Sequence, residues 1–395
     1  MAVLAAATAA CDALAGPTAT PLAAHGSAVS TAALEHTPPP SLAPTATALP
    51  PSSQPPAATP VPGLGTVELR FLDPDFVPGS VLESAAGQVV WSGGPTRSSR
   101  IWRYVPGEAR PELVVDLPRR ASTISDVVAS AAGYAFVEVN SEEFGLGGWR
   151  IWFVERPGGP LVELDRGLAY GAGFPPTLAM DDRRIAWAAF DEPPSGDVSV
   201  LRVVEVRDPT AVTTLAGGPV RDGLLWLPAL HDDELWYAIL HPDWDGSRGG
   251  DEFHIEMLDL AAPGSAPARF AGTANDFHPA VSDTHIAWKT AVGDGAALNW
   301  GTVTVQDRTT AERWIVPRDD LNRPSLGKRF LAFEELTRSH LTVFDLAARR
   351  TAELLPADLA GEVFVGGQSI SGSLLAFFTQ APGDRPRIGW AELPE

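Results

Sequence analysis

Cysteine, lysine, helical periodicity and long apolar runs are all scarce in this chain, and each scarcity closes off a class of function. Among 395 residues there is one cysteine, Cys11, which excludes an internal disulfide framework and any multi-cysteine metal site. Lysine occurs only at Lys289 and Lys328, and the formal charge is −20. So acidic a chain lacks the basic footprint that nucleic acid requires and is repelled by anionic membrane surfaces. The apolar opening MAVLAAATAA stops at about half the ~20 residues a membrane-spanning helix needs. No stretch sustains a 3.6-residue apolar period beyond two turns, so helix content should be negligible.

What the chain does have is a repeat. The stretch Phe277-His-Pro-Ala-Val-Ser-Asp-Thr-His-Ile-Ala-Trp288 is its cleanest copy. From its end backwards it runs aromatic, small, aliphatic, four mostly polar residues, aliphatic, any residue, Pro. Copies end at Trp91, Phe136, Trp187, Tyr237, Trp288, Phe333 and Phe377. The spacings of 44 to 51 residues are those of a four-stranded propeller blade. In the fifth copy, Pro279–Val281, His285–Thr290, Thr302–Gln306 and Arg313–Val316 read as strands A to D. The recurring aromatic beside a small residue suits radial sheets, the large side chain wedging between blades where the small one lets them approach. The expected fold is therefore all-β, a seven-bladed propeller over 66–395. The last copy lacks its outermost strand, and Thr66-Val-Glu-Leu-Arg-Phe-Leu72 has no copy of its own. Pairing it with Arg387–Leu393 would close the ring and remove an exposed edge.

Ahead of the repeats, Asp12 to Leu64 holds twelve prolines, two carboxylates and no Lys or Arg. Such a segment cannot bury enough apolar area to offset its ordering entropy, so residues 12–65 are expected to be a disordered linker of polyproline character. Residues 1–11 end in Thr8-Ala9-Ala10-Cys11, which resembles the close of a bacterial lipoprotein signal. That resemblance implies lipidation at Cys11 and a module tethered outside the cytoplasm, with the membrane reached only through the anchor. An incidental cysteine in a flexible tail is the alternative.

The repeat frame in turn resembles the TolB-type β-propeller blade, carried by Ser282-Asp283 with Ile286-Ala287-Trp288, and in part by Gly133-Tyr-Ala-Phe136 and Leu375-Ala-Phe377. The resemblance implies the fold. It does not imply a role in the Tol–Pal system, because most turns lack the family's Asp-Gly pair.

Catalytic signatures are missing where they could be checked. Gly367-Gln-Ser-Ile-Ser-Gly372 has the wrong spacing for the Gly-x-Ser-x-Gly turn of a hydrolase. Ser84-Ala-Ala-Gly-Gln-Val-Val-Trp91 lacks the aspartate of a sialidase turn. Asp243, Asp245, Asp251 and Glu252 in a glycine-rich loop offer hard oxygen ligands that could suit Ca²⁺, but their spacing fails the EF-hand template and a solvated hairpin loop accounts for them as well. No other cofactor is suggested. The expected function is a non-catalytic, monomeric binding module for a protein, peptide or glycan. The alternative is a propeller glycoside hydrolase or lyase, which a buried carboxylate cluster with one raised pKa in the channel would favour. A wide apolar and aromatic patch there would favour binding.

Loop lengths place the binding face. Long B–C loops in copies two to five carry Glu142, Glu143, Asp191, Glu192, Asp197, Asp243, Asp245, Asp251, Glu252 and Asp294. Just before the A strands, Trp226, Asp276, Phe277, His278, Asn322 and Arg323 are expected at the channel mouth, with Trp244 and Trp300 above them. Together they predict a cationic or mixed polar ligand.

Overall fold

A computed structural model describes residues 58–61, 65–73, 76, 78–93, 99–118, 121–145, 147–168, 175–191, 198–241, 253–262, 264–270, 275–291, 301–318, 321–335, 341–354, 364–380 and 386–395. Cys11, Asp243, Trp244, Asp245, Asp251, Glu252 and Trp300 lie outside them.

Seven antiparallel four-stranded sheets make up the fold, and the regular helix among the described residues is a single 3₁₀ turn, Val220–Asp222. The innermost strands, A, are Pro78–Ala85, Thr123–Ser130, Thr177–Met180, Leu224–His231, Asp276–Val281, Leu321–Leu326 and Phe364–Ser371 in blades 1 to 7. In blade 5, strands B, C and D follow as His285–Ala291, Gly301–Asp307 and Arg313–Ile315, matching the expected spans to within a few residues.

The seven repeat aromatics are at most 2% exposed, and each stands in a different apolar cluster between two neighbouring blades. Phe136 packs with Val90 and Ile101 of blade 1, and Trp187 with Phe153 and Val137 of blade 2. Trp288 meets Trp236 of blade 4, and Phe377 meets Phe330 of blade 6. Trp91 lies with Ile388 and Trp390 of blade 7, which completes the circle. The sequence frame recurs because every interface needs the same wedge.

Closure uses Arg70–Phe71, which pairs antiparallel with Arg387–Glu392 as Arg70↔Trp390 and Phe71↔Gly389, extended by Leu72 N donating to Ile388 O at 2.9 Å. The paired segment is shorter than the seven residues expected. Gly65–Glu68 turns instead into a hairpin with Ala58–Val61, inside the stretch that composition reads as linker. Even so, Val67, Leu69 and Leu72 are buried against blades 6, 7 and 1.

Candidate functional site

Strands alternate their side chains, so each A strand offers every second residue to the ring axis. Two rings result. The position before the repeat proline contributes Val81, Asp126, Thr177, Leu227, His278, Arg323 and Gly367; two residues later come Glu83, Val128, Ala179, Ala229, Ala280, Ser325 and Ser369. They line an axial cavity of about 660 Å³, with Trp226 and Asp181 also in its wall.

Backbone geometry aims the upper ring. Leu227, His278 and Arg323 hold φ of 52°, 52° and 43°, each directly before a proline and each at a register shift in its strand pairing. A non-glycine residue in this left-handed region costs about 1–2 kcal/mol, tolerated where a β-bulge re-aims a side chain. In blade 7 the same position is Gly367, φ 61°, where a Cβ would come within 2.7 Å of the Phe378 ring.

The bulges also correct the expected site. They let strand A run on past its proline, so the residues before it pair with strand B: Asp276↔Thr290, Phe277↔Lys289 and Asn322↔Glu334. Asp276, Phe277 and Asn322 are consequently sealed at 1%, 3% and 4% exposure, away from the channel mouth where loop reasoning puts them. Phe277 stacks on Phe253 at 4.8 Å, Asp276 accepts from the Thr290 hydroxyl, and Asn322 accepts from Nζ of the buried Lys289. Trp226, His278 and Arg323 do reach the cavity wall, with the Trp226 and His278 rings 6.2 Å apart.

Polar groups in the two rings mostly join one blade to the next. The Ser369 hydroxyl accepts from Ser84 N, Asp126 Oδ2 from Leu178 N, Thr177 Oγ1 from Leu227 N, and Ser325 Oγ from Ile370 N. Asp126 Oδ1 takes Val127 N as well. Glu83 and Gln368, which the sequence did not single out, stand apart. Gln368 is 7% exposed, and its amide nitrogen and oxygen have no hydrogen-bond partner among the described residues; the Ser125 hydroxyl likewise has none.

Charge in the channel is perturbed. Burial, then the neighbouring Asp126 charge, pushes the Glu83 carboxyl up to about 8, against a hydrogen bond to Ser369 that lowers it. Burial also raises Asp126, to about 6, held back by the Leu178 amide, the Arg323 charge and the Val127 amide. Both residues are partly buried in the cavity wall, which displaces most of their hydration. His278 is driven well below the usual imidazole range, by burial first and then by Arg323 and Lys289. At neutral pH the channel therefore presents a protonated Glu83 and a neutral His278.

Because folding raises the Glu83 value from 4.5, its contribution to stability is fully present below about pH 4.5 and is lost as pH rises through about 8. Glu83→Gln keeps the neutral form at every pH. Its melting midpoint should equal the parent's near pH 5 and exceed it increasingly toward pH 8.5. A difference that does not change across that range would mean that Glu83 is an ordinary hydrated carboxylate.

No family model matches the chain, and no curated protein matches it. Solved structures do. The β-propeller domain of the trilobed protease from Pyrococcus furiosus, which has an open velcro topology, superposes with a TM-score of 0.57 at 9% identity, over 80% of this chain and 95% of that one. Pyrococcus horikoshii acylaminoacyl peptidase gives 0.57 at 9% identity, over 81% of this chain and 52% of its own. A prolyl endopeptidase gives 0.55 at 12% identity, over 79% and 45%. The chain thus spans about half the length of the latter two enzymes. At such identities these likenesses speak for the propeller fold alone.

Proposed function

We propose that the chain is a non-catalytic binding module of TolB-like kinship, whose ligand, a protein segment, peptide or glycan, inserts a polar group into the axial channel. One observation carries this reading: a cavity of about 660 Å³ is walled by convergent polar groups from blades 1, 2, 5, 6 and 7. Of the residues named from sequence, Trp226, His278 and Arg323 are the proposed contacts, joined by Glu83. Trp244 and Trp300, which lie outside the described residues, stay in the proposal as further contacts.

The two raised carboxyls favour a second reading, a hydrolase or lyase with Glu83 as proton donor and Asp126 as its partner. Against it, Asp126 accepts the backbone amides of Val127 and Leu178, one through each of its oxygens, and so serves the joint between blades 2 and 3. An acid–base pair needs both carboxyls available to the reactant. The binding reading therefore stands first.

A glycan array and a random peptide library, probed with the parent, Glu83→Gln and Arg323→Ala, would decide between them. Probes held by the parent and lost by Arg323→Ala, without turnover, support binding in the channel. Chemical conversion of a bound probe that stops in Glu83→Gln would establish the enzyme. Binders that ignore both substitutions would move the site off the axis.

We also propose export and lipid anchoring through Cys11, on the small residues that precede it and the proline-rich tether that follows. A Cys11→Ser protein should leave the membrane fraction; one that stays there refutes the anchor.

A further inference from the structure

The A–B turns open on one face of the ring. There, blade 4 carries His231-Asp232-Asp233 and blade 5 carries Ser282-Asp283-Thr284. His231 Nε2 lies 3.2 Å from Asp283 Oδ1 and 3.8 Å from Asp232 Oδ2, and the three atoms all fall within 4.8 Å of one another. We propose that His231, Asp232 and Asp283 form a divalent transition-metal site, best suited to zinc, that ties blade 4 to blade 5.

The geometry fits that ion. Tetrahedral zinc, with bonds of about 2.0–2.2 Å to imidazole nitrogen and carboxylate oxygen, spaces its ligands by about 3.4 Å. The two His231 separations, 3.2 and 3.8 Å, bracket that value, and small side-chain rotations bring all three to it. The carboxylates are 84% and 89% exposed and so can move, while the His231 side chain, at 19%, is held by its surroundings. Three protein ligands leave the fourth position to water. Calcium and magnesium call for more oxygen donors than this trio supplies, whereas an imidazole selects zinc, cobalt or nickel.

Local charge favours a cation too. Two carboxylates this close repel one another. The nearby guanidinium groups are committed elsewhere: Arg184 to Asp233 and Glu205, and Arg308 to Glu234 and the Ser282 carbonyl. Among the described residues no arginine or lysine pairs with the side chain of Asp232 or Asp283.

The test uses the full chain stripped with a chelator and titrated separately with Zn²⁺ and Mg²⁺, followed by calorimetry and thermal melting. Binding to the folded state alone raises the melting midpoint with metal concentration. Zn²⁺ should bind one-to-one and raise the parent's midpoint, and Mg²⁺ should do neither. His231→Ala and Asp283→Asn should each weaken Zn²⁺ binding about tenfold or more and abolish the shift. Asp283 is on an exposed turn, so Asp283→Asn should melt like the stripped parent and separates loss of the ion from any packing cost at His231, which ends its strand. Cobalt(II) in place of zinc should give a visible spectrum that His231→Ala loses. Zn²⁺ binding that is equal in the variants, absent from the parent, or matched by Mg²⁺ overturns the proposal.

Discussion

Deleting residues 66–72 should lower the melting midpoint by many degrees, on the order of 10 °C. Three of these side chains, Val67, Leu69 and Leu72, are 2%, 1% and 7% exposed. Burying an aliphatic side chain of this kind is worth about 1.5–3 kcal/mol, so the three contribute about 5–9 kcal/mol. For domains of 150–250 residues each kcal/mol moves the midpoint by about 2–4 °C, and by less in a larger one. Val67 and Leu69 pack with Phe377 and Leu393, and Leu72 with Trp91 and Trp390, so the loss falls on the two interfaces that flank the joint. Deletion also bares the edge of Arg387–Glu392 to pairing with other chains, and aggregation on heating should accompany the shift. A truncated protein that melts like the parent would show that the ring holds without this strand.

Phe277→Ala should cost about 3–5 kcal/mol, the usual penalty for emptying a buried aromatic site. The ring is 3% exposed, stacks on Phe253 at 4.8 Å, and lies 5.2 Å from Nζ of Lys289, a lysine with no exposed surface. Truncation therefore opens a cavity and also weakens the screening of a buried charge. Trp226→Ala offers the contrast. That side chain is half-buried at the channel wall, and its removal should cost less stability while altering any ligand bound there. Chemical denaturation of the two variants side by side gives the comparison, and a Phe277→Ala protein within 1 kcal/mol of the parent would contradict its place in the core.

How much of this was legible in sequence depended on what repeats. The wedge aromatics were readable because all seven interfaces impose the same demand, so Trp91 through Phe377 recur at blade spacing. The closing strand was readable because Thr66–Leu72 alternates and the last repeat lacks a partner. The position of the site was less so. Sequence reasoning took Pro279 and Pro324 as strand starts and left Asp276, Phe277 and Asn322 in loops, whereas a bulge with a left-handed residue carries the strand through. Little local announces that bulge, since Leu227 and Arg323 are unusual residues for such a φ and only His278 is of a type enriched there. Glu83 was invisible for another reason. It is one of many carboxylates, and only closure of the ring brings Asp126 of blade 2 and Ser369 of blade 7 to its side.

That the axial channel is a built polar site, and not a water-filled gap, rests most directly on Glu83. Its carboxyl carbon resonance, assigned by difference against Glu83→Gln, should titrate with a midpoint near 8 in the unliganded protein. Occupation of the channel by a ligand found in the screens should move that midpoint. A titration near the usual 4.5, unmoved by ligand, would contradict the channel as the seat of function.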